Sequence, residues 1–527
     1  MASEPEKEVT KPKIRSFREW QEYAKKAPRK WMIYGIEDRP KSLIETILLG
    51  LQQYFIMFGA TVAVPMLVAG WIKQYYQIPD PVFRTLVAEL ITIQFFGAGI
   101  CTLLQTWPRT GSGLPIIQGS SFSFLGSLFA IISATGIIAN AEGYSSVQQF
   151  IASTDPWLRA TTILRYTTGA IIGASFFEII LGYAGIMGKL KRVLTPVSIG
   201  PTIILIGLSL FGAPAAVGVP NCWWEALLVV ALIVTLNQLI GRKFVKIQMF
   251  SIITSLVIAW IIAATLTVTG VISGTACAVN FMTLQTVVEK AYYFRPPVPF
   301  PWGLPKILPA FALGMIAAYL ASMVESIGDY HSVARMSEAP PPTEDMISRG
   351  LGAEGLGCLI GGIFGAAGGY TSYSENIGSI GLTRVSSRFV FQVGGILILF
   401  LGGMITIWGA FMASMPGPIV GGLYLTVFGL IAAVGVSVVS MADMKSSRNL
   451  FIIGIAMFAG LAIPNMAGSM DPWLHSLPLS IRWAGDILKV IAETGMAVTA
   501  FIAIFLDNII PGTPEERGIT HPEWAGE

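Results

Sequence analysis

The stretch GGYTSYSENIGSIGLTRV, Gly368 to Val385, decides how this chain is read. It concentrates Thr, Ser, Tyr, Glu, Asn and the glycines Gly368, Gly369, Gly378 and Gly381 in a chain that is otherwise strongly apolar. Of 527 residues, 53% are hydrophobic and 12% charged, with a mean hydropathy of +0.66, whereas a soluble domain carries about 25% charged residues. Each glycine would weaken an isolated helix by up to ~1 kcal/mol, and Thr371, Tyr373, Ser374 and Ser379 suit extended chain better. Non-helical backbone at membrane depth survives only where it is buried in protein or lines a watery cavity. An extended piece here is therefore expected to form part of a site.

Working outward, apolar runs of the ~20 residues needed to cross a bilayer recur along the chain. Fourteen spans are expected, at 43–70, 83–105, 114–134, 167–188, 194–212, 222–241, 248–272, 307–335, 349–369, 370–385, 389–413, 417–441, 449–468 and 492–510. This is an all-α polytopic membrane protein with no soluble domain between its spans. Two spans are poor helices by content: 370–385, and 114–134, which opens LPIIQGSSFSFLGS. They are the third and the tenth, seven apart. With an odd number of spans per repeat, a second copy must be inverted, and paired interrupted segments at corresponding places point to a transporter's midplane site. Two helix N-termini starting there could face an anionic or electron-rich ligand, with Glu375 as acceptor, Asn376 as donor and Phe122 as a stacking surface.

Basic charge sorts the short loops into two sets. Arg109, Lys189, Lys191, Arg192, Arg242, Lys243, Lys246, Arg335, Arg349, Arg384, Arg388, Lys445 and Arg448 fall in one. The opposite set includes GAPAAVGVPN and ASMPGP, two loops with no charge at all. The first set is expected to be cytoplasmic, and an even number of spans puts both termini there. Residues 1–41 hold eleven Lys/Arg against seven acids and read as a solvated tail with an amphipathic piece around SFREWQEYAKKAPRKWMIYG, neither signal nor transit peptide. The net charge of +3 thus reflects topology, not a nucleic-acid partner.

Cys101, Cys222, Cys277 and Cys358 include no C-x-x-C pair and indicate neither a disulfide framework nor a thiolate metal site, although Cys222 and Cys277 both fall on the outer side. His331, His475 and His521 offer no metalloprotease or haem pattern. Gly350, Gly352 and Gly355 spell G-x-G-x-x-G, but without the strand and βαβ unit that a dinucleotide site requires; RGLGAEGLGCLIGGIFGAAGG reads as a glycine-rich span that lets helices approach closely.

Buried carboxylates carry the rest. One at the centre of a spanning helix costs roughly 2.5–3.5 kcal/mol on insertion scales. AYLASMVESIGDYHSVAR places Glu325 and Asp329 four residues apart on one helix face. Two like charges so close, away from water, should not both be ionised at neutral pH, which suits the pair to carrying a proton. Glu45, Glu89, Glu178, Glu225 and Glu354 stand near span ends or alone and read as structural. An intramembrane aspartyl hydrolase using Asp329 would need a second aspartate facing it, and the only aspartate inside another span, Asp507, stands at the end of 492–510.

At these residues the chain resembles a known family. ENIGSIGLTR, Glu375 to Arg384, resembles the nucleobase–ascorbate transporter signature through Glu375, Asn376, Gly378, Thr383 and Arg384, and the likeness extends through ESIGDYHSVARMSEAPPPTEDMISRG, SSRNLFIIGIAMFAGLAIPN and LDNIIPGTPEERG. It covers the chain from about residue 35. The resemblance implies a seven-plus-seven inverted repeat with short β-strands in spans 3 and 10. Residues 1–41 and 512–527 would be cytoplasmic tails and 276–306 an extracytoplasmic loop. Residues 42–192 and 307–415 (spans 1–4 and 8–11) would form a core domain, rocking against a gate domain of 193–275 and 416–511 (spans 5–7 and 12–14), as a homodimer in the plasma membrane. It implies further that Glu325 and Glu375 hydrogen-bond the base, that Phe122 stacks on it, that Ser121 and Asn376 contribute backbone, and that Asp329 serves ion coupling.

The family's first span usually carries Gln-His, whereas LQQYF has Gln52 and Gln53, so an amide that cannot titrate takes any gating or coupling role there. The first signature position is Glu375, where ascorbate carriers have proline. A carboxylate accepts from two ring N–H groups and repels an anion. The expected function is therefore secondary active uptake of a nucleobase such as uracil, xanthine or urate, coupled to protons and without a cofactor. The alternatives are sodium coupling, ascorbate, or a channel or anion exchanger of the same architecture.

Overall fold

The computed structural model describes residues 16–26, 31–186, 193–209, 211, 213–216, 218–244, 247, 251–273, 277–279, 281, 294, 296–405, 415–476, 485, 488–489, 492 and 495–521. Lys189, Lys191, Arg192 and Lys246, four of the loop cations counted above, lie outside them.

Local sequence sets the helix ends. Ser42 caps α2 (Leu43–Tyr76) by accepting from the Glu45 amide, with Glu45 in the first turn, the Ser-x-x-Glu pattern of a capping box. Asp155 accepts from the Trp157 and Leu158 amides and Pro156 occupies the first helical position of α7 (Pro156–Tyr183). That helix therefore starts well before the expected 167. Polar residues in its first turns hid the start from hydropathy, yet they are held inside the protein: the Arg159 guanidinium donates to Tyr76 O at 2.9 Å.

In chain order follow α1 (Phe17–Lys26), α2, α3 (Asp80–Thr106), β1 (Gln118–Ser120), a 3-10 turn (Phe122–Phe124), α4 (Leu125–Ser133), α5 (Thr135–Ala141), α6 (Val147–Ser153) and α7. Then come α8 (Pro196–Ser209), α9 (Trp223–Val234), α10 (Ser251–Val268), α11 (Pro309–Met336), α12 (Glu344–Ile363), β2 (Tyr370–Ser372), α13 (Ser374–Thr383), α14 (Arg388–Leu397), α15 (Gly417–Val439), α16 (Ser447–Met466) and α17 (Gly495–Ile509). Among the described residues six helices are long and apolar enough to cross a membrane, or seven if the pair Phe122–Ser133 and Thr135–Ala141, bent by 60°, is one span. The protein is thus mostly helical, with several membrane-crossing helices.

The helices pack in two groups. α7 lies along α12 and α11, and α14 along α2 and α3; α8 lies along α15, α17 and α16, and α9 along α15. α13 meets α15 and α11 meets α8 and α17 where the groups touch.

Two expectations are corrected here. The amphipathic piece of the N-terminal tail is docked, not solvated: Trp20 in α1 is fully buried, its indole N–H reaching Pro340 O (2.9 Å) and Pro341 O (3.0 Å). Residues 33–36 then run beside the end of α13, with Ser386 N donating to Tyr34 O and Arg388 N to Ile36 O, both 2.9 Å, and Arg388 pairs with Glu37 at 2.7 Å. Cys222 and Cys277 form a disulfide. The pairing is spatial, joining the start of α9 to the chain beyond α10, and four scattered cysteines could not announce it.

Candidate functional site

Extended backbone occurs at both places where glycine and serine interrupt the apolar pattern, but it is short: Thr371 lies in a strand, whereas Ser374 and Ser379, expected to be extended, lie in α13. β1 and β2 pair antiparallel, with Gln118 opposite Ser372, Gly119 opposite Thr371 and Ser120 opposite Tyr370. Ser121 N to Gly369 O and Tyr373 N to Ile117 O, both 2.9 Å, extend the ladder at its ends. All six strand residues are buried, so their backbone groups find partners in protein rather than facing lipid. Gly119 is required by contact: a Cβ there would lie 2.3 Å from the Tyr373 ring. That ring is tethered, its hydroxyl donating to Ser120 O at 2.9 Å and lying 3.1 Å from Thr61 Oγ1.

Each strand leads into a helical N-terminus, β1 into the 3-10 turn and α4, β2 into α13, and neither start carries a side-chain cap. The first-turn amides and the positive end of the helix dipole gather at each start. Glu375 sits buried in the first turn of α13. α11 supplies the facing carboxylates. Glu325 accepts from Ser123 Oγ at 3.0 Å, while Asp329 accepts from Ser372 Oγ and Ser374 Oγ, each at 2.6 Å. Through Ser374, the residue before Glu375, Asp329 is tied to the start of α13. Phe122, half-buried, begins the turn whose next residue, Ser123, reaches Glu325.

Ser121 and Asn376 are placed differently from expectation. The Ser121 amide is committed to Gly369 O, and it is the buried hydroxyl, without a partner among the described residues, that is left over. The Asn376 amide nitrogen donates to Gln53 Oε1 (2.8 Å) and Gln53 O (3.0 Å), so the donor role expected of it is already taken, and only Oδ1 lacks a partner. Gln53 thereby ties α2 to α13, helped by its contact with Ser379 Oγ at 3.3 Å. Gln52 is buried with neither amide atom hydrogen-bonded among the described residues.

Three signature residues serve the helix rather than its head. Thr383 Oγ1 donates to Ser379 O at 2.7 Å. Arg384 closes α13 in the left-handed conformation, φ 60°, and its carbonyl accepts from Ile33 N and Tyr34 N. Gly378 lines a cavity of about 160 Å³ between α11, α13 and α15, bordered also by Ser332, Met336 and Ala433. At its edge Arg335 donates to Ser437 O at 3.0 Å, joining α11 to α15.

Glu354, read from the sequence as structural and solitary, instead packs against the face of α11 that carries Glu325 and Asp329. It is fully buried in α12 and accepts from Ser322 Oγ and Ser326 Oγ, each at 2.7 Å. The available signal was the helical spacing of Ser322, Glu325, Ser326 and Asp329, which lines one face of α11 with oxygen. Cys222, Glu225 and Cys277 bring ligand atoms within 4.8 Å of one another, but the disulfide uses both sulfurs. Chemically, the site presents carboxylates, hydroxyls and two helix starts to a small polar molecule.

Comparison with known proteins agrees with the signature. A family model described as "Permease family" (Xan_ur_permease) matches residues 44–468. Solute carrier family 23 member 2 of Homo sapiens is 39% identical over 514 residues, covering 93% of this chain and 76% of that protein. Nucleobase-ascorbate transporter 2 of Arabidopsis thaliana is 32% identical over 492 residues, covering 91% and 89%. Among solved structures, murine SLC26A9, an anion transporter in the inward-facing state, aligns with a TM-score of 0.44 at 12% identity, covering 86% of this chain and 68% of that one. The transmembrane domain of the cyanobacterial bicarbonate transporter BicA gives 0.39 at 13%, covering 87% and 99%.

Proposed function

The chain belongs to the nucleobase–ascorbate transporter family, and from that premise we propose that it is a proton-coupled symporter of a nucleobase such as uracil, xanthine or urate. It is a membrane transporter, not an enzyme. The finer architecture belongs to this proposal: fourteen spans in a seven-plus-seven inverted repeat, a core domain of spans 1–4 and 8–11 moving against a gate domain of spans 5–7 and 12–14, a homodimer in the plasma membrane, and both termini cytoplasmic.

The reading is supported by the way the α11 carboxylates lean on the two strand–helix junctions: Glu325 accepts from Ser123 after β1, and Asp329 accepts from Ser372 in β2 and from Ser374, the neighbour of Glu375, at the start of α13. Two carboxylates can accept from the ring N–H groups of a dioxo base, the Ser121 hydroxyl adds a polar contact, and Phe122 offers its face. A proton on the Glu325/Asp329 pair lowers the charge of the site and permits the loaded core to move. Substrate affinity stays modest, because a base held much more tightly in one state would bias the equilibrium toward it.

The test is a competition panel of uracil, xanthine, urate, adenine and ascorbate against labelled base in proteoliposomes, with proton and sodium gradients imposed separately. Accumulation driven by the proton gradient, with Glu375→Pro weakening base uptake, is the expected result. Accumulation driven by sodium alone would replace the coupling ion, and unchanged base affinity in Glu375→Pro would remove Glu375 from the site.

A further inference from the structure

Glu354 and Asp329 are joined by an unbroken chain of hydroxyls. Ser326 Oγ lies 2.7 Å from Glu354 Oε2, Ser372 Oγ lies 3.0 Å from Ser326 Oγ, and Asp329 Oδ2 lies 2.6 Å from Ser372 Oγ. Each serine has one proton to donate. If both carboxylates are ionised, the two serine protons point outward to them, and the central oxygen–oxygen contact has no hydrogen in it. One added proton repairs this in either of two ways. On Asp329 it makes Asp329 donate to Ser372, Ser372 to Ser326 and Ser326 to Glu354. On Glu354 it reverses all three bonds. Both arrangements satisfy every link, and they differ only in which carboxylate is neutral.

We propose that Glu354 is a second seat for the coupling proton, exchanging it with Asp329 through Ser372 and Ser326. This rests on the proton-coupled reading above and extends it to a residue outside the base contacts. In the transfer Asp329 gives its proton to Ser372 Oγ as Ser372 passes its own to Ser326 and Ser326 passes its own to Glu354 Oε2. One O–H bond forms and one breaks at each serine, and the net change is one proton moved. All four residues lie on α11, α12 and β2, so the exchange needs no movement between the two helix groups.

A separate observation places neutralising protons in this layer. Glu178 on α7 is fully buried with neither carboxyl oxygen hydrogen-bonded among the described residues, and its Cβ would be 3.1 Å from a Cβ at Gly355, the neighbour of Glu354. A bare carboxylate without donors is not tolerated in such a place. Titratable groups that face Glu354 and Asp329 include Glu325, Tyr319 and Tyr330 on α11, Glu178 on α7, Cys101 on α3, and Cys358 on α12. Glu375 on α13 faces Asp329.

The experiment uses the full-length protein in proteoliposomes with labelled uracil and labelled xanthine. Glu354→Gln keeps the size and donates to Ser326, which freezes the chain in the direction of protonated Glu354. It is expected to exchange external for internal base at equal pH within about threefold of wild type, while accumulation under an imposed proton gradient falls at least about tenfold and the pH dependence of exchange flattens. Ser326→Ala and Ser372→Ala, each breaking one link, are expected to lower gradient-driven accumulation in the same sense. Wild-type accumulation and pH dependence in Glu354→Gln overturns the proposal. So does unaffected accumulation in both serine variants, which decides the matter if Glu354→Gln does not fold. Wild-type protein that ignores the proton gradient would instead overturn the coupling reading on which the proposal rests.

Discussion

Gly119→Ala tests whether the strand crossing has the geometry described. The new Cβ would stand 2.3, 2.5 and 2.8 Å from three atoms of the Tyr373 ring, whereas ordinary contact begins at 3.4 Å. The ring must therefore shift by about 1 Å. It cannot do so freely, because its hydroxyl is bonded to Ser120 O and lies against Thr61 Oγ1. Overpacking of this kind costs about 1–3 kcal/mol, and losing the two hydroxyl bonds adds about 0.5–1.5 kcal/mol each, so the substitution is expected to destabilise by about 2–6 kcal/mol. Glu375 follows Tyr373 by two residues, so base uptake should fall with stability. The assay is reversible unfolding in mixed micelles, run as a double-mutant cycle with Tyr373→Ala. With the ring removed, Gly119→Ala should cost less than about 1 kcal/mol, the difference being the coupling. Equal costs in both backgrounds, or a Gly119→Ala protein as stable and active as wild type, would refute the reasoning.

Two further outcomes follow from ion pairs away from the crossing. Asp507 is fully buried, bonded to Arg448 and Arg517 at 2.9 Å each and accepting from Thr195 Oγ1 at 2.7 Å; Asp507→Ala strands two guanidinium groups and should cost about 3–5 kcal/mol, and a loss under about 1 kcal/mol in the same unfolding assay would contradict that. For Glu142, burial alone would raise the carboxyl, but hydrogen bonds from Lys306 and Tyr166 and the charges of Lys306 and Arg165 outweigh it and hold the group below its ordinary value of 4.5. The folded value being the lower one, its stabilisation is complete above the ordinary range and disappears as pH falls through the folded value. Thermal midpoints of wild type and Glu142→Gln should therefore converge on acidification, and a gap that widens there would reverse the sign.

Composition and punctuation made much of this legible. Glycine and serine in Gly368–Val385 and Pro115–Phe124 forecast the two breaks, because helix propensity and membrane backbone accounting act locally. Glu325 and Asp329 stood out because their spacing is a property of one helix. What stayed hidden depends on distant partners. Glu354 reads as an isolated acid until α12 packs beside α11, and the donor assigned to Asn376 is taken by Gln53, 323 residues away. Trp20 gave no sign of docking because its acceptors, Pro340 O and Pro341 O, are backbone atoms of a remote loop.

The paired strands also bear on biosynthesis. Tyr373 and Ser120, which close the ladder, are 253 residues apart, so a nascent chain emerging N-terminal end first holds the first strand of the pair long before the second exists. Until then the exposed edge of Gln118–Ser120 has no neighbour to satisfy it inside the bilayer. A ribosome-stalled or truncated product ending before residue 370 would thus present an unfinished cleft, a defect that quality-control machinery could sense without testing whether anything is carried.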